Sequence, residues 1–473
     1  MLLSGYALAQ GFSFARNAIV AHWLSKGDFG IAAAILLLLQ LIDTLTDLGA
    51  DRLIVQAKDG DDARLVATAQ TTLVARGIVT ALLLVALAMP VAAFFGIPEA
   101  AWAFAAAAIV PFAKGFVSLD SRLAQRGLDN RPQVMIEVLP QALGLALTLP
   151  MLMLFGDYSA VLWLALLQAI VAIAVSHVMA RRRYALAFDM KHLRRLVAFG
   201  WPIWASAFPL IAVYQGDRMI IGHLGGIESL AAYTAAFMIT MVPGLIAAKV
   251  ANALMLPLLA SEQDHADRFA ERFRMMAEAT ALAAALYLAA FVIAGGTLLP
   301  VAFGANYAGL GPLVGWLALM WSMRMLQAVP GAALLAKGVT RPFFTAGMIR
   351  ATGLLLAWAA LSLGWGLEGA AAAGAAAELA SLTYVTWRLD RFVKLQMQTT
   401  PLHLGAALSA RSLLMVPAGG LALAVNVAAG DSVTLLRATL VLAAVSLVVI
   451  VLAALTMPDG KRQLLAMRTT QAR

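Results

Sequence analysis

Hydrophobic runs of about twenty residues recur along the whole chain, separated by short charged or glycine- and proline-rich segments. Such a run can cross a hydrocarbon core of roughly 30 Å as an α-helix. The strict polar and apolar alternation of a membrane β-barrel is absent. We therefore predict an all-α integral membrane protein with about fourteen transmembrane helices, which cover residues 2–24, 30–49, 66–95, 100–119, 134–155, 160–180, 197–222, 231–259, 276–303, 310–335, 343–363, 369–387, 413–429 and 434–457.

Charged residues divide the connecting segments into two kinds. The short turns after odd-numbered spans, such as SKGDF and GIPE, carry acidic residues and a single basic one, Lys26. The segments on the other side carry most of the 34 lysines and arginines. Because basic residues concentrate in cytoplasmic loops, these segments and both termini are predicted to be cytoplasmic. The formal charge of +9 thus reflects topology and contact with anionic membrane lipids, and no nucleic-acid partner is expected.

An internal repeat divides the chain. Residues 124–160 and 336–370 share a glycine, an Arg-Pro pair, a helix of small residues, a glycine turn and another helix. A weaker match relates 16–34 to 217–236. Since both pairs are six spans apart, we predict two pseudo-symmetric six-helix lobes around a central cavity. The predicted parts are an N-lobe at 1–180, an amphipathic cytoplasmic linker at 181–196, a C-lobe at 197–387, a second cytoplasmic linker at 388–412, two C-terminal helices at 413–457 and a cytoplasmic tail at 458–473.

Several cations fall inside predicted spans, where a charge costs at least ~2.5 kcal/mol. Each therefore needs a wet cavity, a partner or a route to the interface. Arg437 lies near a helix end and is expected to reach the interface. The candidates for a cationic, substrate-binding cavity are Arg16, Arg76, Arg218, Lys249, Arg324 and Arg350. For Arg16, Arg76, Arg218 and Arg350 an interfacial location is an open alternative.

Acidic residues inside spans are the second group of candidates. In LLLLQLIDTLTDLGADR, Gln40, Asp43, Thr44 and Asp47 recur at helical spacing and predict one polar stripe, which is typical of a cavity-lining helix. We expect Asp43 either to pair with a cavity arginine or to carry a coupling proton, and simple solvation is the alternative for Asp47. Glu378 lies deep in span 12, where it either pairs with a neighbour or couples an ion. Asp43, Asp47 and Glu378 are thus the ion-coupling candidates.

The N-terminal segment AQGFSFARNAIVAHWLSKGDFGIAAA, followed by Gln40 and DLGADRLIVQ, resembles a known family. It is similar to the polysaccharide transporter branch of the MOP exporter superfamily, the Wzx-type flippases, which are relatives of the lipid II flippase and of MATE exporters. The resemblance implies alternating-access transfer of undecaprenyl-diphosphate-linked oligosaccharides to the periplasmic leaflet of the bacterial inner membrane, for O-antigen, capsule or exopolysaccharide synthesis. It also implies H⁺ or Na⁺ coupling and contact with a polymerase and other assembly proteins. Guanidinium groups suit a diphosphate because they bind it bidentately.

Two alternatives remain open. A MATE-like ion-coupled exporter of small molecules would favour an acidic cavity and twelve spans. A membrane polymerase or ligase normally carries a long outer loop, and the longest predicted here, 223–230, is short. We expect no enzyme activity, no cofactor and no metal site, since the chain has no cysteine, no GxxxxGK[ST] motif and no evident catalytic constellation.

Overall fold

The computed structural model describes residues 2–396, 415–420, 422 and 435–456. Within them the chain forms helices joined by turns, and no strand occurs. The side chains of Lys249 and Arg437 lie outside the described part of the chain. So do most of the predicted linker at 388–412, much of the predicted C-terminal helix pair at 413–457 and the tail at 458–473. The helices are α1 (Leu2–Trp23), α2 (Lys26–Leu45), α3 (Ala50–Gln56), α4 (Ala63–Phe94), α5 (Ala101–Ala106), α6 (Ile109–Lys114), α7 (Asp120–Arg126), α8 (Arg131–Phe155), α9 (Ser159–Val178), α10 (Met190–Leu224), α11 (Ile227–Ala260), α12 (Ala266–Phe303), α13 (Gly311–Ala336), α14 (Arg341–Ser362), α15 (Gly366–Gln396) and α16 (Leu435–Thr456).

The long helices overlap the predicted spans and have the surface of membrane helices. Eight helices in the described part of the chain are long and apolar enough to cross a membrane. On α4, Leu82, Val85 and Met89 are exposed, whereas Leu84 and Ala88 on another face are buried. A helix that is apolar on its outer face as well as its inner face suits lipid and not water. The protein is therefore a multi-pass membrane protein with an all-α fold.

The fourth predicted span, 100–119, is not one continuous helix. It is divided into α5 and α6, and the turn between them is tightened by a hydrogen bond from the Val110 amide to the Ala107 carbonyl (3.0 Å). Pro111 has no amide hydrogen and its ring disfavours a continuous helix here. The short α6 then packs on α4, where a methyl group on Gly77 would lie 2.8 Å from the Pro111 carbonyl oxygen. The break thus accompanies a close helix contact that an unbroken span would not predict.

The second span ends earlier than predicted, and this corrects the proposed polar stripe. α2 ends at Leu45, where the Thr46 hydroxyl donates to the Ile42 carbonyl (2.8 Å). Gly49 then adopts a left-handed conformation (φ +60°), which turns the chain before α3 begins. Asp43 is on α2, but Asp47 lies in the turn and Asp51 on α3. The prediction that the polar stripe continues along one helix to Asp47 is therefore wrong.

The chain divides into two compact units, Met1–Thr234 and Ala235–Arg473, with the boundary inside α11. In the first unit α8 packs on α1 and α9, and α4 packs on α5 and α6. In the second unit α13 packs on α12 and α15, α14 packs on α15, and α16 packs on α12. The predicted N-lobe and C-lobe, which follow the sequence repeat, differ from these units and stay a prediction.

The packing of α10 accounts for the difference between the two compact units and the two lobes predicted from the sequence repeat. This helix was expected to open the C-lobe, yet it packs against α2, α3 and α4 of the first unit. The contact is close because Gly200 has no side chain: a methyl group there would overlap the Leu48 carbonyl. Leu48 belongs to the turn that ends α2, so the early end of α2 and the position of α10 depend on each other.

The predicted linker at 181–196 is attached to the first unit. Residues 181–189 are not helical, and α10 already begins at Met190, where Asp189 accepts hydrogen bonds from the Lys191 and His192 amides. Arg195 pairs with both carboxylate oxygens of Asp59 (2.6 and 2.7 Å). This hydrogen bonding lowers the pKa of Asp59 to about 2. The ion pair of Arg195 with Asp59 thus connects the first turns of α10 to the α3–α4 turn.

The sequence repeat corresponds to a repeated structural element. Arg131-Pro132 begins α8 and Arg341-Pro342 begins α14, and each proline occupies the first turn, where its missing amide hydrogen costs nothing. In each unit the helix is followed by a glycine turn and a second helix that packs back on it, α9 or α15. The alignment of Arg131 with Arg341 therefore relates the two hairpins position by position.

Candidate functional site

A polar cavity of about 540 Å³ lies inside the first unit, between α1, α2, α6, α8 and α9. Much of its wall is apolar, as expected within a membrane helix bundle. Polar side chains enter from each of these helices. They are Tyr6, Gln10, Ser13, Gln40, Asp43, Lys114, Glu137, Gln141 and Gln168.

Helical periodicity places these polar groups on the inner faces. Tyr6, Gln10 and Ser13 are spaced i, i+4 and i+7 on α1, so they share one face. Gln40 and Asp43 are three residues apart on α2. Glu137 and Gln141 are four residues apart on α8 and line the same cavity. Gln40 and Asp43 of the predicted polar face of α2 thus lie at a cavity inside the first unit, and a role for this face in a central cavity between two lobes stays a prediction.

Arg16 lies directly behind the cavity and joins α1 to α8. Its guanidinium donates to the Gln141 Oε1 (3.2 Å) and lies 3.4 Å from the Ser13 hydroxyl oxygen. Gln168 donates its amide to the same Gln141 oxygen (3.3 Å). Arg16 is buried, with 9% of its surface exposed. The side chain is thus held among polar groups inside the bundle.

Arg76 is held at the edge of the same cavity by Asp43. Its Nη2 donates to the Asp43 carboxylate and carbonyl, and its Nε donates to the Thr46 hydroxyl (3.2 Å). Asp47 Oδ1 is 3.8 Å from Arg76 Nη1, but the Asp47 carboxylate also accepts from the Gly49 amide (2.9 Å) and pairs with Arg52 (3.0 Å). Of the two aspartates, only Asp43 lines the cavity.

Lys114 and Glu137 line the cavity although neither was a predicted site residue. Both lie near span ends, so the sequence indicates simple exposure to the cytoplasm. Glu137 accepts a hydrogen bond from Gln133 (2.8 Å), its neighbour one helical turn earlier. Nothing in the local sequence distinguishes an interfacial charge that faces a cavity from one that faces solvent. Only the packing of α6 and α8 reveals it.

The second unit contains a buried charge cluster. Glu378 of α15 lies between two arginines: Arg324 of α13 donates its Nε to one carboxylate oxygen, and Arg350 Nε of α14 is 3.0 Å from the other. The Glu378 side chain is 2% exposed, and those of Arg324 and Arg350 are 9% and 22% exposed. The cluster thus joins three helices and carries one excess positive charge.

Further contacts surround this cluster. Arg324 lies over the Trp321 ring, with its Cζ atom 4.7 Å from the ring centroid. Arg350 donates to Gln327 Oε1, and the Gln327 amide donates to the Ser381 hydroxyl (3.0 Å). The expectation that Glu378 pairs with a neighbour agrees with this geometry. Its alternative role in ion coupling stays a proposal.

The repeat relates this cluster to the cavity of the first unit. With Arg131 aligned to Arg341, residue numbers differ by 210, so Gln168 of α9 corresponds to Glu378 of α15. In the first unit this position holds a neutral amide that lines open space. In the second it holds a carboxylate between two guanidinium groups. Equivalent elements thus have different chemistry.

The remaining candidates lie elsewhere. Arg218 of α10 belongs to the first unit, where its guanidinium donates to the Tyr214 carbonyl (3.0 Å). The neighbouring Asp217 accepts from the Tyr233 hydroxyl (2.7 Å). Neither residue lines the polar cavity. Among the described residues, no three His, Cys, Asp or Glu side chains form a group that could hold a metal ion.

The second unit also contains an apolar cavity of about 570 Å³. It lies between α12, α13, α15 and residues 415–419. Its described lining is formed by glycine, proline and large apolar side chains, such as Leu288, Trp316 and Met323. Each unit therefore offers a cavity, one polar and one apolar.

Comparison with solved structures defines the class of fold. A lipid II flippase, MurJ, in its inward closed conformation matches with a TM-score of 0.73 at 12% identity, over 95% of this chain and 97% of that one. An inward-facing MATE multidrug transporter of the MOP superfamily matches with a TM-score of 0.63 at 14% identity, over 83% and 96%. The chain therefore has the fold of these membrane transporters.

Sequence comparison then gives the family. The model of the family described as "Polysaccharide biosynthesis protein" matches residues 19–312, and the chain belongs to this family. The succinoglycan biosynthesis transport protein ExoT of Rhizobium meliloti (strain 1021) is 23% identical over 316 residues, which are 65% of this chain and 62% of that protein. The teichuronic acid biosynthesis protein TuaB of Bacillus subtilis (strain 168) is 25% identical over 154 residues, 33% of this chain and 32% of that protein. The chain thus matches less than two thirds of the length of each.

The family match confirms the polysaccharide biosynthesis family that the N-terminal segment resembles, and the fold agrees with the relatives that this resemblance implies. The structure also explains part of that segment. Ser25 caps α2 by accepting a hydrogen bond from the Asp28 amide (3.0 Å), and its hydroxyl donates to the Asp28 carboxylate (2.6 Å). Gly30 allows α2 to contact the backbone at Ile227. Several motif residues therefore shape the first unit and do not line its cavity.

Proposed function

We propose that this protein translocates undecaprenyl-diphosphate-linked oligosaccharide repeat units from the cytoplasmic to the periplasmic leaflet of the bacterial inner membrane. The transfer proceeds by alternating access, supplies polysaccharide synthesis and needs no catalysis. The observation that carries this proposal is the polar cavity inside the apolar helices of a chain that belongs to the polysaccharide biosynthesis family. The names of two relatives, a transport protein for succinoglycan and a protein of teichuronic acid synthesis, support the cargo class.

The charges near the cavity suit an anionic diphosphate head group. Lys114 lines the wall, and Arg16 lies behind Gln141 and Ser13. Cations that are partly withdrawn from water bind phosphate oxygens more strongly than exposed ones. Arg324 and Arg350 share Glu378 and so have less free charge for a substrate. Arg16 and Lys114 are therefore our first candidates for diphosphate contact, ahead of Arg76, Arg218 and Lys249.

Coupling to an ion would use a carboxylate that meets the cavity. Asp43 does so and pairs with Arg76, whereas Asp47 is bound in a turn and Glu378 lies between two arginines. A proton that took the place of Arg76 at Asp43 would couple transport to H⁺. Asp43 is therefore our coupling candidate.

Ion-coupled export of small molecules is a second candidate function. One observation favours it: the carboxylates of Asp43 and Glu137 both line the cavity and could attract a cationic molecule. Asp43 is paired with Arg76, and Lys114 lines the same wall, so the cavity has little net negative charge. We therefore prefer the lipid-linked cargo.

Deletion of the gene tests the function directly. We expect lipid-linked repeat units to accumulate on the cytoplasmic face of the inner membrane, where a membrane-impermeant glycosidase added to spheroplasts cannot reach them. Units that accumulate on the periplasmic face would instead indicate a polymerase, which acts after translocation. Unchanged units combined with greater sensitivity to cationic drugs would indicate a small-molecule exporter.

Complementation then tests the residues. Plasmids that carry Arg16→Gln, Lys114→Gln or Asp43→Asn should restore less polysaccharide export than the wild-type gene, at equal amounts of membrane-inserted protein. Lys58→Gln is a matched control, because Lys58 is exposed on the α3–α4 turn. Normal export by all three variants would refute a role for this cavity. Export by Asp43→Asn that no longer depends on external pH would support proton coupling.

A further inference from the structure

We infer that the polar cavity of the first unit is a sugar subsite, which holds a neutral, hydroxyl-rich pyranose ring of the cargo. This inference rests on the proposed function and adds which chemical part of the cargo the cavity accepts. The cavity extends from α1 and α2 to α8 and α9, and its volume of about 540 Å³ lies within the roughly 300–1,000 Å³ typical of small-molecule sites. A sugar ring fits such a volume, whereas a single ion would fill little of it.

Neutral amides form a large part of the polar lining. Gln10, Gln40, Gln141 and Gln168 come from four different helices and meet at one cavity. Each amide offers two donor hydrogens and an acceptor oxygen, and each sugar hydroxyl likewise both donates and accepts. A cation would use only the oxygens, and a phosphate only the hydrogens. The lining therefore matches a ligand with both kinds of group.

Two of these amides are available for a ligand. Gln141 is occupied, since it accepts from Arg16 and Gln168. The side chains of Gln10 and Gln40 have no hydrogen bond to any other group in the described part of the chain. Gln40 is exposed and Gln10 is half-buried at the cavity wall, so a guest in the cavity can reach both amides. These two amides are thus placed to bond the hydroxyls of a guest.

The charged groups around the cavity balance each other. Asp43 is paired with Arg76, and the wall carries Glu137 as well as Lys114. A multiply charged group that entered deeply would meet a side chain of its own sign. A neutral ring meets no such penalty, and carboxylates at the wall can accept hydrogen bonds from its hydroxyls. The wall thus suits a diphosphate only where it meets a cation such as Lys114, and the amide-lined interior suits the neutral sugar part of the cargo.

An aromatic ring completes the lining. Tyr6 stands one helical turn before Gln10 on the same face of α1. Aromatic rings combine a large apolar face with, in tyrosine, a polar edge, which suits a molecule whose ring face is apolar and whose rim carries hydroxyls. The equivalent hairpin of the second unit lacks this arrangement, because Glu378 there is occupied by two arginines. The amide of Gln168 is therefore not repeated at the equivalent position of the second unit.

Binding of simple glycosides tests the subsite without the natural cargo. The full chain in lipid nanodiscs is mixed with methyl β-D-glucopyranoside or methyl β-D-galactopyranoside, and binding is followed by saturation-transfer difference NMR. The test variant is Gln10→Leu with Gln40→Leu. Neither amide loses a partner among the described residues, so the variant should fold, which its unfolding temperature checks. Gln56→Leu is the matched control, because Gln56 is exposed at the end of α3, away from the cavity.

We expect the wild type and the control to bind at least one glycoside, and the double variant to bind it about tenfold more weakly, as for the loss of two neutral hydrogen bonds. Equal glycoside binding by all three proteins, or no binding by the wild type, would overturn the sugar subsite. Inorganic diphosphate serves as a second probe: loss of diphosphate binding alone in the double variant would show an anion site and also overturn it. These results are independent of the gene deletion, so the subsite and the proposed function can fail separately.

Discussion

At the residue scale, charged side chains that lie between the helices are stabilised by hydrogen bonds and ion pairs in small groups. Arg16 is bonded to two neutral side chains, Arg76 is paired with Asp43, and Glu378 is shared by two arginines. A lone charge in such surroundings would cost several kcal/mol, roughly 2.5 or more. Pairing lowers this free-energy cost. It also means that removal of one side chain leaves its partner's charge uncompensated.

Glu378→Gln should strongly destabilise the second unit. The substitution removes the carboxylate that Arg324 and Arg350 share, and breaking a buried ion pair in this way typically costs about 3–5 kcal/mol. The measurement is the unfolding temperature of the purified protein in detergent. Glu368→Gln is the matched control, because Glu368 is exposed at the start of the same helix, α15.

A second substitution tests the physical reason. Glu378→Gln combined with Arg350→Gln removes one of the two facing cations, so it should recover part of the lost stability. If the single variant unfolds at the same temperature as the Glu368→Gln control, the cluster does not stabilise the unit, and our account of it is wrong.

At the element scale, helix ends and glycines decide how the helices of the first unit meet. Ser25 fixes the start of α2, and Thr46 and Gly49 fix its end. Gly30, Gly77 and Gly200 each lie where another backbone comes close. In membranes, small residues of this kind allow close helix packing, which takes the place of the hydrophobic driving force available in water.

Gly30→Ala should destabilise the first unit. The added methyl group would overlap the Ile227 carbonyl, which is backbone and cannot rotate away, so we expect a loss of about 1–3 kcal/mol or poor membrane insertion. Gly27→Ala on the same helix is the control, since its methyl group would meet only the Ser25 hydroxyl at 3.8 Å. Its effect should be neutral or favourable by up to about 1 kcal/mol through helix propensity. Equal unfolding temperatures for the two variants would contradict the packing argument.

The bridge between Asp59 and Arg195 should make attachment of the linker depend on pH. The folded pKa of Asp59 is about 2, below the usual value of 3.8, so the bridge stabilises the fold fully above the usual value and loses its effect as the pH falls toward 2. The difference in unfolding temperature between wild type and Asp59→Asn should thus be constant above about pH 5 and shrink below pH 4. Asp61→Asn is a control, because among the described residues the Asp61 side chain has no hydrogen bond or ion pair and its backbone carbonyl accepts from Arg182. A difference that stays constant to the lowest pH would contradict the bridge.

At the scale of the whole molecule, the distribution of basic residues predicts how the chain lies in the membrane. The chain has no cysteine, so each introduced cysteine is a unique label site. Arg183 lies in the basic linker and Glu228 near the acidic turn between α10 and α11, and both are exposed. The proposed topology places them on opposite sides of the inner membrane.

Arg183→Cys should resist a membrane-impermeant maleimide added to intact spheroplasts, and Glu228→Cys should react with it. After the membrane is opened with detergent, both should react, which controls for accessibility of the thiol. The reverse pattern would show that the orientation is inverted, and reaction of both sites in intact cells would contradict the predicted span between them.

The sequence by itself determined the class of fold, most helix positions and the family. These properties follow from local patterns: a run of apolar residues specifies a membrane helix, and basic residues at its ends specify direction. The Arg-Pro repeat predicted the paired hairpins for the same reason, because a proline in the first turn is a local signal. Helix ends were less well predicted, as α2 shows, since Thr46 and Gly49 act there against an apolar run that continues.

Only the tertiary structure decided which polar side chains meet. Arg16 and Gln141 are 125 positions apart, and Arg324 and Glu378 are 54 apart, so no periodicity links them. Their pairing depends on how helices rotate and approach, which is set by glycines, helix breaks and packing across the unit. For the same reason the sequence could identify Asp43 as a candidate but not Lys114 or Glu137 as its neighbours at the cavity. It also could not show that Gln168 lines open space while the equivalent Glu378 is enclosed by arginines.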